Sequence, residues 1–240
     1  MSDESEFAVT RHPSPVSPDQ RAALLEAPGF GQVFTDHMAT IGWSEGRGWH
    51  SHRIGPRVPF SIDPACAVLH YAQEIFEGMK AYPTHAGLAA LFRPWENARR
   101  FARSAERMAM PPLPESLFLS AVEALIKADR DWIPEDEGTL YLRPFMFASE
   151  AFLGVRPARE YTFCVIASPV GAYFRGDTRR SHCGFRTDSA GPQPGGPAPP
   201  NAAEITRAAL WRKPRPFAMA AIRWSFSTPP NIASSRNSAG

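Results

Sequence analysis

The chain has 240 residues, of which 43% are hydrophobic and 21% charged, with a formal net charge of +2. That length can bury a sizeable core as one large domain or two smaller ones, and the balance is ordinary for a globular protein. It has no apolar run of bilayer length, no basic-then-apolar signal peptide at the N-terminus, and only three scattered cysteines (Cys66, Cys164, Cys183), which argues against a membrane role, a disulfide framework and a metal centre and makes a reducing cytoplasm the expected location.

The charge is unevenly spread. Residues 177–240 hold nine Lys/Arg and three Asp/Glu, a balance of +6, and nine of the 25 prolines. Residues 1–176 then carry seventeen basic and twenty-one acidic side chains, a balance of −4. The character of the chain changes near residue 176.

Residues 1–19 are polar, contain Pro13, Pro15 and Pro18, and read as a disordered arm. A short helix is expected from Asp19 to Glu26, stopped by Pro28-Gly29. Phe34 to Trp43 reads as a strand, with Asp36 and His37 as solvated residues on it. Gly46 to Gly55 reads as a loop and Val58 to Ile62 as a short strand. From Ile75 the residues alternate, with Ile75, Glu77, Met79 and Ala81 on one side and Phe76, Gly78, Lys80 and Tyr82 on the other, as in a strand. Gly78 inside that run marks a bulge or a close approach of a ligand to the backbone. Leu88 to Phe92 is a further strand. Pro94 suits the first turn of a helix in which Ala98, Phe101, Ala102, Ala105 and Met108 recur at helical spacing. A second helix is expected from Glu115 to Asp131, and strands at Thr139 to Ser149 and Tyr161 to Ser168. Strands and helices do not alternate regularly, so the fold class is α+β.

Six strings in this order carry a resemblance: V-F-T-D-H-M from Val33, L-H-Y-A-Q-E-I-F-E-G-M-K-A-Y from Leu69, L-F-R-P-W-E-N-A-R-R-F from Leu91, L-Y-L-R-P from Leu140, L-G-V from Leu153, and S-P-V-G-A-Y-F from Ser168. From about residue 30 to 176 the chain resembles the branched-chain amino acid aminotransferases of the class IV, fold-type-IV pyridoxal-phosphate enzymes. The resemblance implies amino-group transfer between Leu, Ile or Val and a 2-oxo acid such as 2-oxoglutarate, pyridoxal 5'-phosphate as cofactor, a cytoplasmic homodimer, and neither nucleic acid nor membrane as partner. Arg100 corresponds to the arginine that grips the cofactor phosphate, a task suited to a permanently charged fork. Phe30, Phe76 and Tyr141 correspond to the pocket for the aliphatic side chain, and Arg143 to an arginine that orients the substrate carboxylate. Tyr71, Leu153 and Val155 correspond to residues that the partner subunit contributes. The implied domains are a small domain at 20–170 and a linker at 171–180.

The family's Schiff-base lysine has no counterpart. It is expected soon after S-P-V-G-A-Y-F, in a string close to G-T-G-A-A-K-C-G-G-N-Y, but no lysine follows Lys127 except Lys213 in R-K-P-R-P. Reading each tail residue from the last two bases of one family codon and the first of the next turns that string into G-P-A-P-P-N-A-A-E-I-T, which is Gly196 to Thr206. In the same phase Ala221 to Pro229 is compatible with C-D-Q-V-V-F-L-D-A, and Arg236 to Gly240 with E-E-L-G-G. A frameshift between about Gly176 and Ser181 is therefore expected, with residues 181–240 an out-of-frame, disordered tail, the large cofactor domain absent and the chain inactive. Two other readings stay open. One is a related class IV enzyme acting on D-amino acids or aminodeoxychorismate. The other is a non-enzymatic protein whose basic tail binds nucleic acid or a partner, although the tail shows no recognisable nucleic-acid fold.

Overall fold

A computed structural model describes residues 7–84, 89–134 and 138–171. The described elements are, in order, β1 (Ala8–Val9), α1 (Pro18–Glu26), β2 (His37–Ser44), β3 (Gly48–Pro56), α2 (Ala67–Tyr71), β4 (Glu74–Phe76), β5 (Met79–Pro83), β6 (Ala89–Leu91), α3 (Pro94–Arg107), α4 (Glu115–Ala128), a 3-10 turn (Arg130–Trp132), β7 (Thr139–Ala148) and β8 (Glu160–Val170). One sheet runs β1-β3-β2-β8-β7-β5-β6, with β4 also on β7. This is the α+β architecture expected.

Long antiparallel strands make the centre of the sheet. β7 pairs with β8 from Thr139↔Val170 to Ala148↔Tyr161 without a slip, and β8 pairs in turn with β2. Alternation along β7 sends Leu140, Leu142 and Met146 to a fully buried face, on which α3 and α4 lie. Phe101 of α3, Phe118 of α4 and Phe163 of β8 meet there with ring centroids 5.4, 5.5 and 5.9 Å apart. The apolar stripe expected on α3 is the one buried: Ala98, Phe101 and Ala105. Pro94 occupies its first turn.

Several expectations are corrected. The stretch read as a loop from Gly46 to Gly55 is mostly β3, a hairpin partner of β2. Gly46 and Gly48, both at positive φ (+86° and +74°), make the turn, and the run G-W-H-S-H-R-I lacks the β-branched alternation that marks a strand. Ser51, at φ +57°, is the extra residue where the β2–β3 register shifts, between Thr40 and Gly42. Val58 to Ile62 forms no strand, and Val58 and Ile62 are exposed. The second helix ends at Ala128 rather than Asp131, and the 3-10 turn that follows puts Trp132 in the core.

The N-terminal arm differs from expectation as well. From Phe7 onward it is seated: Phe7 is buried, β1 runs parallel to β3, and Thr10 N–H donates to the Ile54 carbonyl. Asp36 and His37, read as solvated, hold it there. Asp36 accepts from Val16 N–H at 3.0 Å and from Trp132 Nε1 at 2.8 Å. His37 is buried, its Nδ1 lies 2.6 Å from Asp129 Oδ1, and its Nε2 accepts from His12 N–H at 2.9 Å. That acceptor role places the ring proton on Nδ1, facing the carboxylate. Local composition predicted disorder because these partners lie 20 to 96 residues apart in sequence.

The stretch from Ile75 to Tyr82 is divided into β4 and β5, yet both pair with β7 in one register: Phe76 faces Phe145 and Met79 faces Leu142. Two residues on each side separate those pairs, so Gly78 is not a bulge. The ladder is interrupted opposite Pro144, which accepts from Glu77 N–H at 2.8 Å but has no N–H to return. Of the expected linker at 171–180 only Gly171 is described; the rest, the tail at 181–240 and Lys213 lie outside the described residues.

Candidate active site

The face of β7 turned away from the helices presents Tyr141 and Arg143, and β4 adds Phe76 beside them. Arg143 donates from Nε and Nη2 to the Tyr141 hydroxyl oxygen at 3.2 and 2.8 Å. Its guanidinium carbon lies 4.6 Å from the Phe76 ring centroid and 5.4 Å from that of Tyr141, so two aromatic faces steady the cation. With its oxygen accepting twice, Tyr141 keeps its own proton available to a further acceptor. Phe30 comes from the other end of the chain, its ring centroid 5.3 Å from that of Tyr141. Phe30 and Phe76 are 55% and 65% exposed, so both rings are open to solvent on this face. Lys80 is directly opposite Tyr141 in register and adds a second cation to this face.

Gly78 is needed by this cluster. A Cβ on it would fall 2.5 Å from the Tyr141 hydroxyl oxygen. The close approach expected at Gly78 is therefore made by the protein's own tyrosine.

On the helix-facing side of the same step stands Glu77, buried with Ile75, Met79 and Ala81. Arg100 of α3 grips it with Nε on Oε1 at 2.5 Å and Nη2 on Oε2 at 2.6 Å. Asn97, one helical turn earlier, donates to Oε2 at 3.0 Å and to the Gly78 carbonyl at 3.3 Å. Burial alone would raise the Glu77 carboxyl pKa, but the hydrogen bonds from Arg100 and Asn97 and the Arg100 charge outweigh it and hold it below its ordinary value. Arg100, by contrast, leaves 61% of its side chain exposed.

Tyr71, Leu153 and Val155 make a separate group. The Tyr71 hydroxyl donates to the Leu153 carbonyl, and Leu153 and Val155 are 60% and 70% exposed. Their loop is pinned by Phe152 N–H on the Ala65 carbonyl, by Arg156 stacked over Phe152, and by the Arg156–Glu150 pair at 2.7 Å. Of the residues singled out in the sequence, the structure thus brings Phe30, Phe76, Tyr141 and Arg143 together, places Arg100 across the Glu77–Gly78 step from them, and sets Tyr71, Leu153 and Val155 in their own surface cluster. Glu77 and Asn97 went unassigned, because the separation of 23 positions between Glu77 and Arg100 hides the pair from any sequence pattern.

No protein-family model matches the chain. Among curated proteins, a probable branched-chain-amino-acid aminotransferase of Streptomyces coelicolor is 53% identical over 184 residues, covering 76% of this chain and 51% of that protein. The branched-chain-amino-acid aminotransferase of Mycobacterium tuberculosis strain H37Rv is 49% identical over 173 residues, covering 71% and 47%. The branched-chain-amino-acid transaminase 1 of Bacillus subtilis is 51% identical over 150 residues, covering 62% and 42%. A solved T.th. branched-chain amino acid aminotransferase with pyridoxamine 5'-phosphate is 27% identical, covers 56% of this chain and 41% of that one, and has a TM-score of 0.40, too low for the superposition to carry weight. The chain spans about half the length of the curated relatives it matches. With about half of the aligned residues identical in each of those three, this chain belongs to the branched-chain-amino-acid aminotransferase family.

Proposed function

We propose that residues 20–170 are the small domain of a fold-type-IV branched-chain amino acid transaminase, moving an amino group between Leu, Ile or Val and 2-oxoglutarate with pyridoxal 5'-phosphate as cofactor. The observation that carries this reading is the cluster of Phe30, Phe76, Tyr141 and Arg143, which offers apolar rings and a fixed cation side by side. An aliphatic side chain requires the rings, and an α-carboxylate requires the cation and the phenolic proton. Arg100, charged and mostly exposed, fits the phosphate end of the cofactor. The lysine end is not matched: the described lysines are Lys80 and Lys127, and neither stands in a string like the family's lysine motif.

When bound, pyridoxal 5'-phosphate supplies an electron sink that lets the substrate α-proton leave. The chain's own residues do the rest of what can be assigned. Arg143 and Tyr141 orient the carboxylate, Phe30 and Phe76 exclude water from around the aliphatic group, and Arg100 holds the phosphate. Tyr71, Leu153 and Val155 serve a second copy's pocket in a homodimer. Moving the α-proton is the lysine's task in this family, and neither Lys80 nor Lys127 stands in a string like the family's lysine motif.

The frameshift reading extends the proposal: the frame is lost between about Gly176 and Ser181, and the chain as it stands is inactive. Two measurements test these statements separately. Sequencing the coding DNA is expected to show that one restored phase after residue 176 opens a frame encoding the lysine motif; failure to find it overturns the frameshift. Leucine:2-oxoglutarate transamination is expected from the frame-restored protein and not from the present chain. Turnover by the present chain overturns its inactivity, and none by the restored protein overturns the assigned function.

A further inference from the structure

Glu77 is almost fully buried, its side chain 4% exposed, whereas the arginine that neutralises it is 61% exposed. The guanidinium thus offsets the buried charge without being fully desolvated itself, and part of it stays open to a further anion. Here the buried member is the anion, and it is fixed from several sides. Asn97 Nδ2 donates to Oε2 at 3.0 Å, Gly78 N–H donates to Oε2 at 3.3 Å, and Glu77's own backbone N–H is tied to the Pro144 carbonyl. A carboxylate so held is a rigid socket. The fork on it uses Arg100 Nε and Nη2, which sets the guanidinium plane and leaves the Nη1 edge facing away from the carboxylate.

We propose that Glu77 is a positioning residue for Arg100: its buried carboxylate grips the guanidinium by Nε and Nη2 and turns the Nη1 edge outward as a preset receptor for the cofactor's phosphate group. The inference rests on the reading of Arg100 as the phosphate-binding residue. Its physical content is preorganisation. A free arginine loses side-chain entropy on capturing an anion, whereas one already locked by a carboxylate has lost it on folding. Glu77 also reduces the net charge of the receptor, so its contribution is to geometry and not to attraction at long range.

The test is calorimetric titration of the full chain with pyridoxal 5'-phosphate and, separately, with pyridoxal, which lacks the phosphate. The ratio of the two affinities isolates the phosphate contact and does not require turnover. The unmutated chain is expected to prefer the phosphate ester, Arg100→Ala to abolish the preference, and Glu77→Gln to reduce it by about tenfold, the scale of one charge-assisted hydrogen bond. In the Arg100→Ala background Glu77→Gln is expected to change the ratio no further, since Glu77 acts through Arg100. Glu77→Asp keeps the charge but withdraws the carboxylate, and an intermediate loss is expected; it supplies the reading if Glu77→Gln does not fold. A preference unchanged or increased by both Glu77 substitutions overturns the positioning role and leaves the phosphate role of Arg100 standing. A further loss in the Arg100→Ala background also overturns it. Equal affinity for the two probes in the unmutated chain overturns the phosphate role itself, and the inference with it.

Discussion

At the scale of single residues, the candidate site depends on contacts with no slack. The hydrogen of Gly78 faces the Tyr141 hydroxyl, and any Cβ there would stand 2.5 Å from it. Gly78→Ala must push the tyrosine aside, and Arg143 loses the acceptor for two of its N–H groups. The expected outcome is a loss of about 1–3 kcal/mol in urea unfolding, the usual range for overpacking. Tyr141→Phe in the same background should recover most of that loss, because it removes the atom that clashes. Part of this site was legible in the sequence and part was not, for a reason of scale. Tyr141 and Arg143 are two apart in one strand, so a period of 2 puts them on one face. Phe30 reaches the same spot from the far side of the chain, and Glu77 meets Arg100 only because α3 docks on the sheet; no local pattern encodes either meeting.

At the scale of elements, β8 carries the longest buried run. Two of its residues titrate unfavourably there: burial pushes both the Tyr161 phenol and the Cys164 thiol up to about 12. Both groups are neutral in the folded strand, and their ordinary values are 10.0 and 9.0. The folded state therefore holds its protons more tightly than the unfolded one. Their contribution to stability is complete below pH 9, shrinks as the unfolded thiol and then the phenol ionise, and is gone once pH passes the folded values. Below pH 9 the Tm of the unmutated chain and that of Cys164→Ala are expected to run parallel. Between pH 9 and 12 the Tm of the unmutated chain should fall more steeply than that of Cys164→Ala. Equal slopes for the two would contradict the assignment. At this scale the sequence was most informative where periodicity was strong, in α3, β7 and β8. It was least informative in β3, where histidine, arginine and glycine occupy a strand that owes its conformation to β2 beside it.

At the scale of the whole molecule, the N-terminal arm is built into one edge of the sheet through β1. His37 joins it to Asp129 at the end of α4, so one imidazole ties the first described segment to the helical layer. Asp129→Ala leaves the His37 Nδ1–H and backbone N–H unsatisfied in a buried setting. A loss of about 2 kcal/mol or more is expected, from two orphaned donors at about 1–3 kcal/mol each. Limited proteolysis should then cut within residues 7–16, which the unmutated fold protects; an unchanged cleavage pattern would show the arm to be held by β1 alone. The reading of this arm as disordered followed from its composition, and it failed because the groups that order it lie elsewhere in the chain.

Pro144 has one more consequence. The ribbon formed by β4, β5 and β7 keeps a single register but lacks one hydrogen bond, the one Pro144 cannot donate back to Glu77. The missing donor falls at the step that holds Arg100 on one face and accommodates Tyr141 on the other. β4 and β5 are therefore joined there by the Glu77 N–H and by the clamp of Arg100 and Asn97 rather than by a full ladder. A proline in mid-strand thus leaves part of the sheet's cohesion at this step to the side chains that carry its chemistry.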